Sequence, residues 1–176
     1  YDYCDEHGIL VWQDFSMACG VYPQNERFQT LLREEAEIIV RKFRNHASLA
    51  LWSGDNECDF LFIRDRQSIN DKFIHQKNPN DNVLTRKVLP EVIRCLDGNC
   101  SFIPSSPYLD NEAFKIVNKT RKPAEDHLWG PRDYFKSRYY TENSAHFISE
   151  CGYHGCPARV SIEKFIDADK VWPYVN

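Results

Sequence analysis

"LALWSGDNE", residues Leu49 to Glu57, decides how this chain is read. Leu49 to Trp52 are apolar, and Asp55, Asn56 and Glu57 follow almost at once. A carboxylate at the end of a buried run is costly unless it is paired, hydrogen-bonded or protonated. Such an ending is therefore either a polar cap or a working site.

The surrounding composition allows a folded core. The chain has 176 residues, of which 42% are hydrophobic and 27% charged, so one globular domain is expected rather than a disordered segment. A net charge of −4 argues against a nucleic-acid or anionic-membrane surface. No apolar run approaches the ~18 residues of a membrane span. The opening Tyr1-Asp2-Tyr3-Cys4 is neither basic nor apolar, unlike a signal peptide, which leans the expectation towards the cytoplasm. The opening reads as helix entered midway and the chain as a piece of something longer. Seven cysteines without a Cys-x-x-Cys pair read as reduced, mostly buried thiols rather than a disulfide framework.

Other runs repeat the pattern of the first. Gly8 to Phe15 ("GILVWQDF") ends in Gln13 and Asp14, "DHLWG" carries His127, and Ala145 to Gly152 ("AHFISECG") carries Glu150. Between the first two strands, Asn25 to His46 reads as a helix, with Phe28, Leu32, Ala36, Ile39 and Phe43 on one stripe. A polar stretch, Arg64 to Asn82, reads as an inserted loop. Val83 to Gly98 reads as a second helix in spite of Pro90, and Ser101 onwards ("SFIPSSPY") as a short strand and turn. Short helices are expected within Tyr134 to Tyr140 and from Ser161. Apolar runs alternating with helices predict adjacent parallel strands in sequence order, with ligands at their carboxyl ends. No Gly-x-Gly-x-x-Gly or Walker-type loop is present, so a barrel is the better expectation.

Glu57 and Glu150 are a pair of the kind that glycosidic cleavage needs, one acid and one carboxylate that attacks or activates water. The blocks "YDYCDEHGILVWQDF", "RNHASLALWSGDNE", "IPSSPY", "DHLWG" and "FISECGYHGCPA" resemble, in this order, glycoside hydrolase family 2, above all its β-mannosidase and exo-glucosaminidase branch. The resemblance covers nearly the whole chain. It implies an α/β fold, with residues 1–176 a partial (β/α)8 TIM-barrel catalytic domain holding strands three to seven. It also implies a retaining mechanism on terminal β-linked, β-mannoside-like sugars. Glu57 would be the acid/base and Glu150 the nucleophile. Asn56 would bind the sugar 2-hydroxyl, and His127, Trp129, Trp52 and Asp14 would contact substrate.

Some positions depart from the family pattern. Asp55 stands where asparagine is common, Cys151 where an aromatic usually follows the nucleophile, and "HGC" where a polar turn is usual. These touch the walls of the sugar site, so β-galactoside, β-glucuronide and β-glucosaminide remain alternative substrates. A truncated, non-catalytic piece is the other alternative, because strands one, two and eight and the flanking β-sandwich domains are missing. The partner expected is a carbohydrate, with no cofactor and no metal. His146, Cys151, His154 and Cys156 offer zinc-type atoms, but their spacing fits no established zinc pattern.

Overall fold

The structure is a computed structural model describing residues 1–63, 78–109, 125–130, 136–152, 155 and 157–171. The first elements in the chain are α1 (Asp2–His7), β1 (Val11–Asp14), α2 (Glu26–Phe43), β2 (Leu49–Ser53) and α3 (Cys58–Ile63). After a turn of 3-10 helix, Pro79–Asp81, come a π-helical turn Leu84–Val88, α4 (Leu89–Leu96), β3 (Ser101–Ile103), β4 (Glu125–Trp129) and β5 (Phe147–Gly152).

β1, β2 and β3 form a parallel sheet in sequence order. Parallel neighbours need a crossover, and α2 and α4 supply the two crossovers. Asn25 starts α2 by accepting a hydrogen bond from Phe28 N at 3.0 Å, which satisfies one of the unpaired donors of the first turn. The helix buries Leu32, Ala36 and Val40, one residue per turn, while Phe28, Ile39 and Phe43 pack at the margin. Val40 completes a stripe from which the sequence reading omitted it. From α4, Leu89, Val92 and Ile93 join the same core, at helical spacing.

Val83 to Gly98 is not one regular helix. Pro90 has no N–H to give to the carbonyl four residues back. The ladder widens just before it, with Leu89 N bonding to Leu84 O in π register, and regular α-helix resumes around the proline.

The strand order also departs from expectation. Five adjacent strands in one sheet were expected; β4 and β5 instead pair in a separate two-stranded sheet among the described residues. β3 is only three residues long, and Pro104 and Pro107 remove backbone donors just beyond it. In place of a ladder, the Ser106 hydroxyl bonds to Glu125 and His127 side chains on β4.

The chain divides into two compact units, Tyr1–His127 with Ser144–Ser149, and Leu128–Asn143 with Glu150–Asn176. The division passes through β4 and β5. In the second unit Tyr140 accepts from Gly130 N and donates to Gly152 O, both at 3.1 Å. Its helical turns are short: Arg138–Thr141, Arg159–Ile162 and Ala168–Val171. The turn expected from Ser161 thus starts earlier, after Ala158, without a side-chain cap. Part of the helix expected within Tyr134 to Tyr140, and most of the loop from Arg64, lie outside the described residues. No described helix is long and apolar enough to cross a membrane.

The cysteines correct another expectation. Of the six described ones only Cys58 is buried, whereas Cys19, Cys95 and Cys151 are exposed.

Candidate active site

The parallel register does not stop where the strands do. Asp14 pairs with Ser53 and Ser53 with Ile103, so three segments leave the sheet together. They stay paired beyond it, with Ala18 opposite Asn56 and Asn56 opposite Ser106. Asn56 N donates to Met17 O at 2.9 Å, Cys19 N to Asn56 O at 2.8 Å, and Glu57 N to Ser106 O at 2.7 Å. Gly54 permits this closeness: a Cβ there would lie 2.2 Å from Pro104 O. Asn56 and Glu57 are thereby held on a backbone strapped from both sides.

Beneath them lies a buried polar cluster. Asp55 is fully buried, and its Oδ1 accepts from Cys58 N and Ser105 Oγ. Its Oδ2 is buried without a hydrogen-bond partner among the described residues. Burial pushes the Asp55 carboxyl up to about 7, and the nearby Asp59 charge adds to the effect. Asp59, at the start of α3, is fully buried and pairs with Arg86 at 2.6 Å. Burial raises its pKa too, although Arg86 opposes the shift. The question raised by the end of β2 thus has two answers. Asp55 is the internal cap and Glu57 the outward group.

Glu57 sits at φ +59, a left-handed conformation that costs a side-chain-bearing residue free energy. Each of its oxygens has a partner. Oε1 is 3.0 Å from His127 Nδ1, and Oε2 accepts from Cys19 Sγ at 3.3 Å. The Glu57 side chain is 31% exposed and that of His127 only 3%. His127 Nε2 lies 3.0 Å from Ser106 Oγ. A partly exposed carboxylate backed by a buried imidazole can give or take a proton at an incoming oxygen.

In the second unit Glu150 Oε2 accepts from Trp129 Nε1 at 2.8 Å. The indole lies against Gly152, where a Cβ would come within 2.1 Å of the ring. Trp129 is 52% exposed, enough to present a ring to a ligand. β5 continues past Glu150 through Cys151 and Gly152, so this glutamate lies within the strand rather than at its end. Asp14 closes β1 and accepts from Trp12 Nε1 at 2.9 Å.

One expected contact is overturned. Trp52 is fully buried, stacks on Phe15 at 5.5 Å between ring centroids, and donates from Nε1 to Asp97 at 2.8 Å. No face of it can meet a sugar. The structure also brings in residues given no role from sequence: Cys19, Ser106, Ser149 and Glu125. Ser106 lay inside a quoted motif, whereas nothing in the spacing marked Cys19 or Glu125.

Another group with ligand-type atoms, Asp2, Asp5 and His46, lies within 4.8 Å. Its contacts are accounted for internally. Asp5 accepts from Ser48 N at 2.7 Å and lies 2.6 Å from His46 Nδ1. Bonds from Ser48 and His46 hold its carboxyl down at about 2, which ties α1 to the start of β2. Of the zinc-type set, His154 and Cys156 lie outside the described residues.

No family model matches the chain. Individual proteins do. It is 30% identical over 183 residues to a β-mannosidase of Capra hircus, covering 99% of this chain and 20% of that protein. It is 31% identical over 184 residues to β-mannosidase B of Aspergillus clavatus, covering 97% of this chain and 21% of that one. The crystal structure of a β-D-mannosidase from Dictyoglomus thermophilum matches with a TM-score of 0.77 and 32% identity, over 97% of this chain and 20% of the other. The chain therefore spans about a fifth of the length of the relatives it matches. Along nearly all of its length the chain is thus similar to about a fifth of these β-mannosidases, which supports the family resemblance of its motifs.

Proposed function

We propose that this segment carries both catalytic glutamates of a retaining glycosidase acting on terminal β-mannosides, within a (β/α)8 catalytic domain. The observation that carries the reading is Glu57, held just past a parallel strand with one oxygen on a buried histidine, in a chain similar to β-mannosidases along nearly its whole length. Glu57 is the acid that protonates the leaving oxygen. Glu150 attacks the anomeric carbon and forms the glycosyl-enzyme. Asn56 meets the sugar 2-hydroxyl, His127 and Asp14 contact hydroxyls, and Trp129 offers its exposed ring while its N–H orients Glu150. Retention requires the two carboxyl groups to stand ~5–5.5 Å apart in the working enzyme.

The test compares two substrates in the longest natural chain that contains this sequence. Glu57→Ala should cost ~10²–10⁴-fold on an alkyl β-mannoside, whose leaving group needs a proton. On an activated aryl β-mannoside the glycosylation step should suffer far less, and azide should rescue deglycosylation. Glu150→Ala should abolish turnover of both. Substantial activity in Glu150→Ala, with equal losses on both substrates in Glu57→Ala, would contradict these roles.

A further inference from the structure

Glu125 opens β4 and is 6% exposed, yet neither proposed catalytic step uses it. Two hydroxyls, from Ser106 and Ser149, donate to its Oε1. The same oxygen lies 3.5 Å from His127 Nε2. Glu125 and His127 are two apart on one strand, so they share a face. The Ser106 hydroxyl stands between them, 3.0 Å from Nε2.

Counting protons along this row constrains the histidine. A serine hydroxyl has one hydrogen, and Ser106 gives it to Glu125. Towards His127 the Ser106 oxygen can then only accept, so Nε2 must carry a hydrogen. A neutral imidazole has only one N–H, which leaves Nδ1 bare. Nδ1 faces Glu57 Oε1 at 3.0 Å, and that contact needs one proton between the two atoms. The proton sits either on Glu57, donating to Nδ1, or on Nδ1 beside a Glu57 carboxylate.

We propose that Glu125 is a positioning residue that fixes, through Ser106, the Nε2–H form of His127 and so keeps one transferable proton on the Glu57 side of the ring. The inference rests on the reading of Glu57 as acid/base. In glycosylation that proton goes to the leaving oxygen as the glycosidic bond breaks, and Glu57 is left as a carboxylate. In deglycosylation water gives a proton back to Glu57 while its oxygen bonds to the anomeric carbon, the bond from that carbon to Glu150 breaks, and Glu150 leaves as a carboxylate. Ser149, the second donor to Glu125, steadies the acceptor without touching the ring.

Histidine-selective ¹⁵N NMR of the natural chain reads the tautomer directly, with His127→Gln to assign the signal. Nε2 of His127 should be protonated in the unsubstituted protein. Glu125→Gln offers Ser106 an amide donor and lets its hydroxyl turn towards Nε2, so a population with hydrogen on Nδ1 should appear. In this variant kcat on an alkyl mannoside should fall about tenfold with KM little changed, and activated aryl substrate should be nearly unaffected. Ser149→Ala should keep the original tautomer. A neutral His127 with its hydrogen on Nδ1 in the unsubstituted protein would overturn the proposal, as would an unchanged tautomer in Glu125→Gln. If Glu57→Ala loses equally on both substrates, the acid/base role of Glu57 fails instead, and the NMR result still decides the tautomer.

Discussion

Asp55 shows most sharply how one side chain carries the local physics. Its folded-state carboxyl is pushed up to about 7, first by burial and then by Asp59. Between the ordinary carboxylate range and about 7, the folded chain holds a proton that the unfolded chain has released. Stability contributed by this group therefore falls as pH rises through that window. Asp55→Asn keeps an oxygen for Cys58 N and Ser105 while removing the titration. Relative to the unsubstituted chain, the variant should gain little at about pH 4 and on the order of 3 kcal/mol at about pH 8. Urea unfolding at the two pH values measures this, and an equal difference at both would contradict it. That Asp55, Asn56 and Glu57 matter was legible in nine residues of sequence. Which of them faces inward was not, because that depends on Ser105, Asp59 and Arg86 arriving from elsewhere in the chain. Trp52 was misread for the same reason: an indole suits a sugar face or a core equally well.

Among the elements, α2 was the most legible. Its apolar residues recur at the helical period, and Asn25 is a strong starting residue. Asn25→Ala should lower unfolding stability by about 1 kcal/mol, read from the denaturation midpoint at unchanged slope. A shift indistinguishable from zero would mean that the Phe28 N–H finds another partner. α4 was legible in extent but not in register, since the π turn before Pro90 answers a single missing donor that periodicity does not register. Strand direction was legible for β1 to β3. The interruption after β3 was not, because it turns on side-chain bonds from Ser106 replacing a backbone ladder.

At the scale of the whole molecule, resemblance carried more than pattern. Periodicity alone suggests parallel strands with polar ends, while the ordered motifs point to β-mannosidase-like proteins and single out Glu57 and Glu150 as candidates. The partners of each glutamate came only from the fold: His127 and Cys19 for Glu57, and Trp129 for Glu150. The central claim is that Glu150 becomes covalently glycosylated. Incubating the natural chain with 2-deoxy-2-fluoro-β-mannosyl fluoride tests it, because the fluoride leaves readily while the 2-fluorine slows hydrolysis of the intermediate. Mass spectrometry of a proteolytic digest should find one fluoromannosyl group on the peptide containing Phe147–Gly152, attached at Glu150. A label on any other residue, or none in an enzyme that turns over mannoside, would contradict the account.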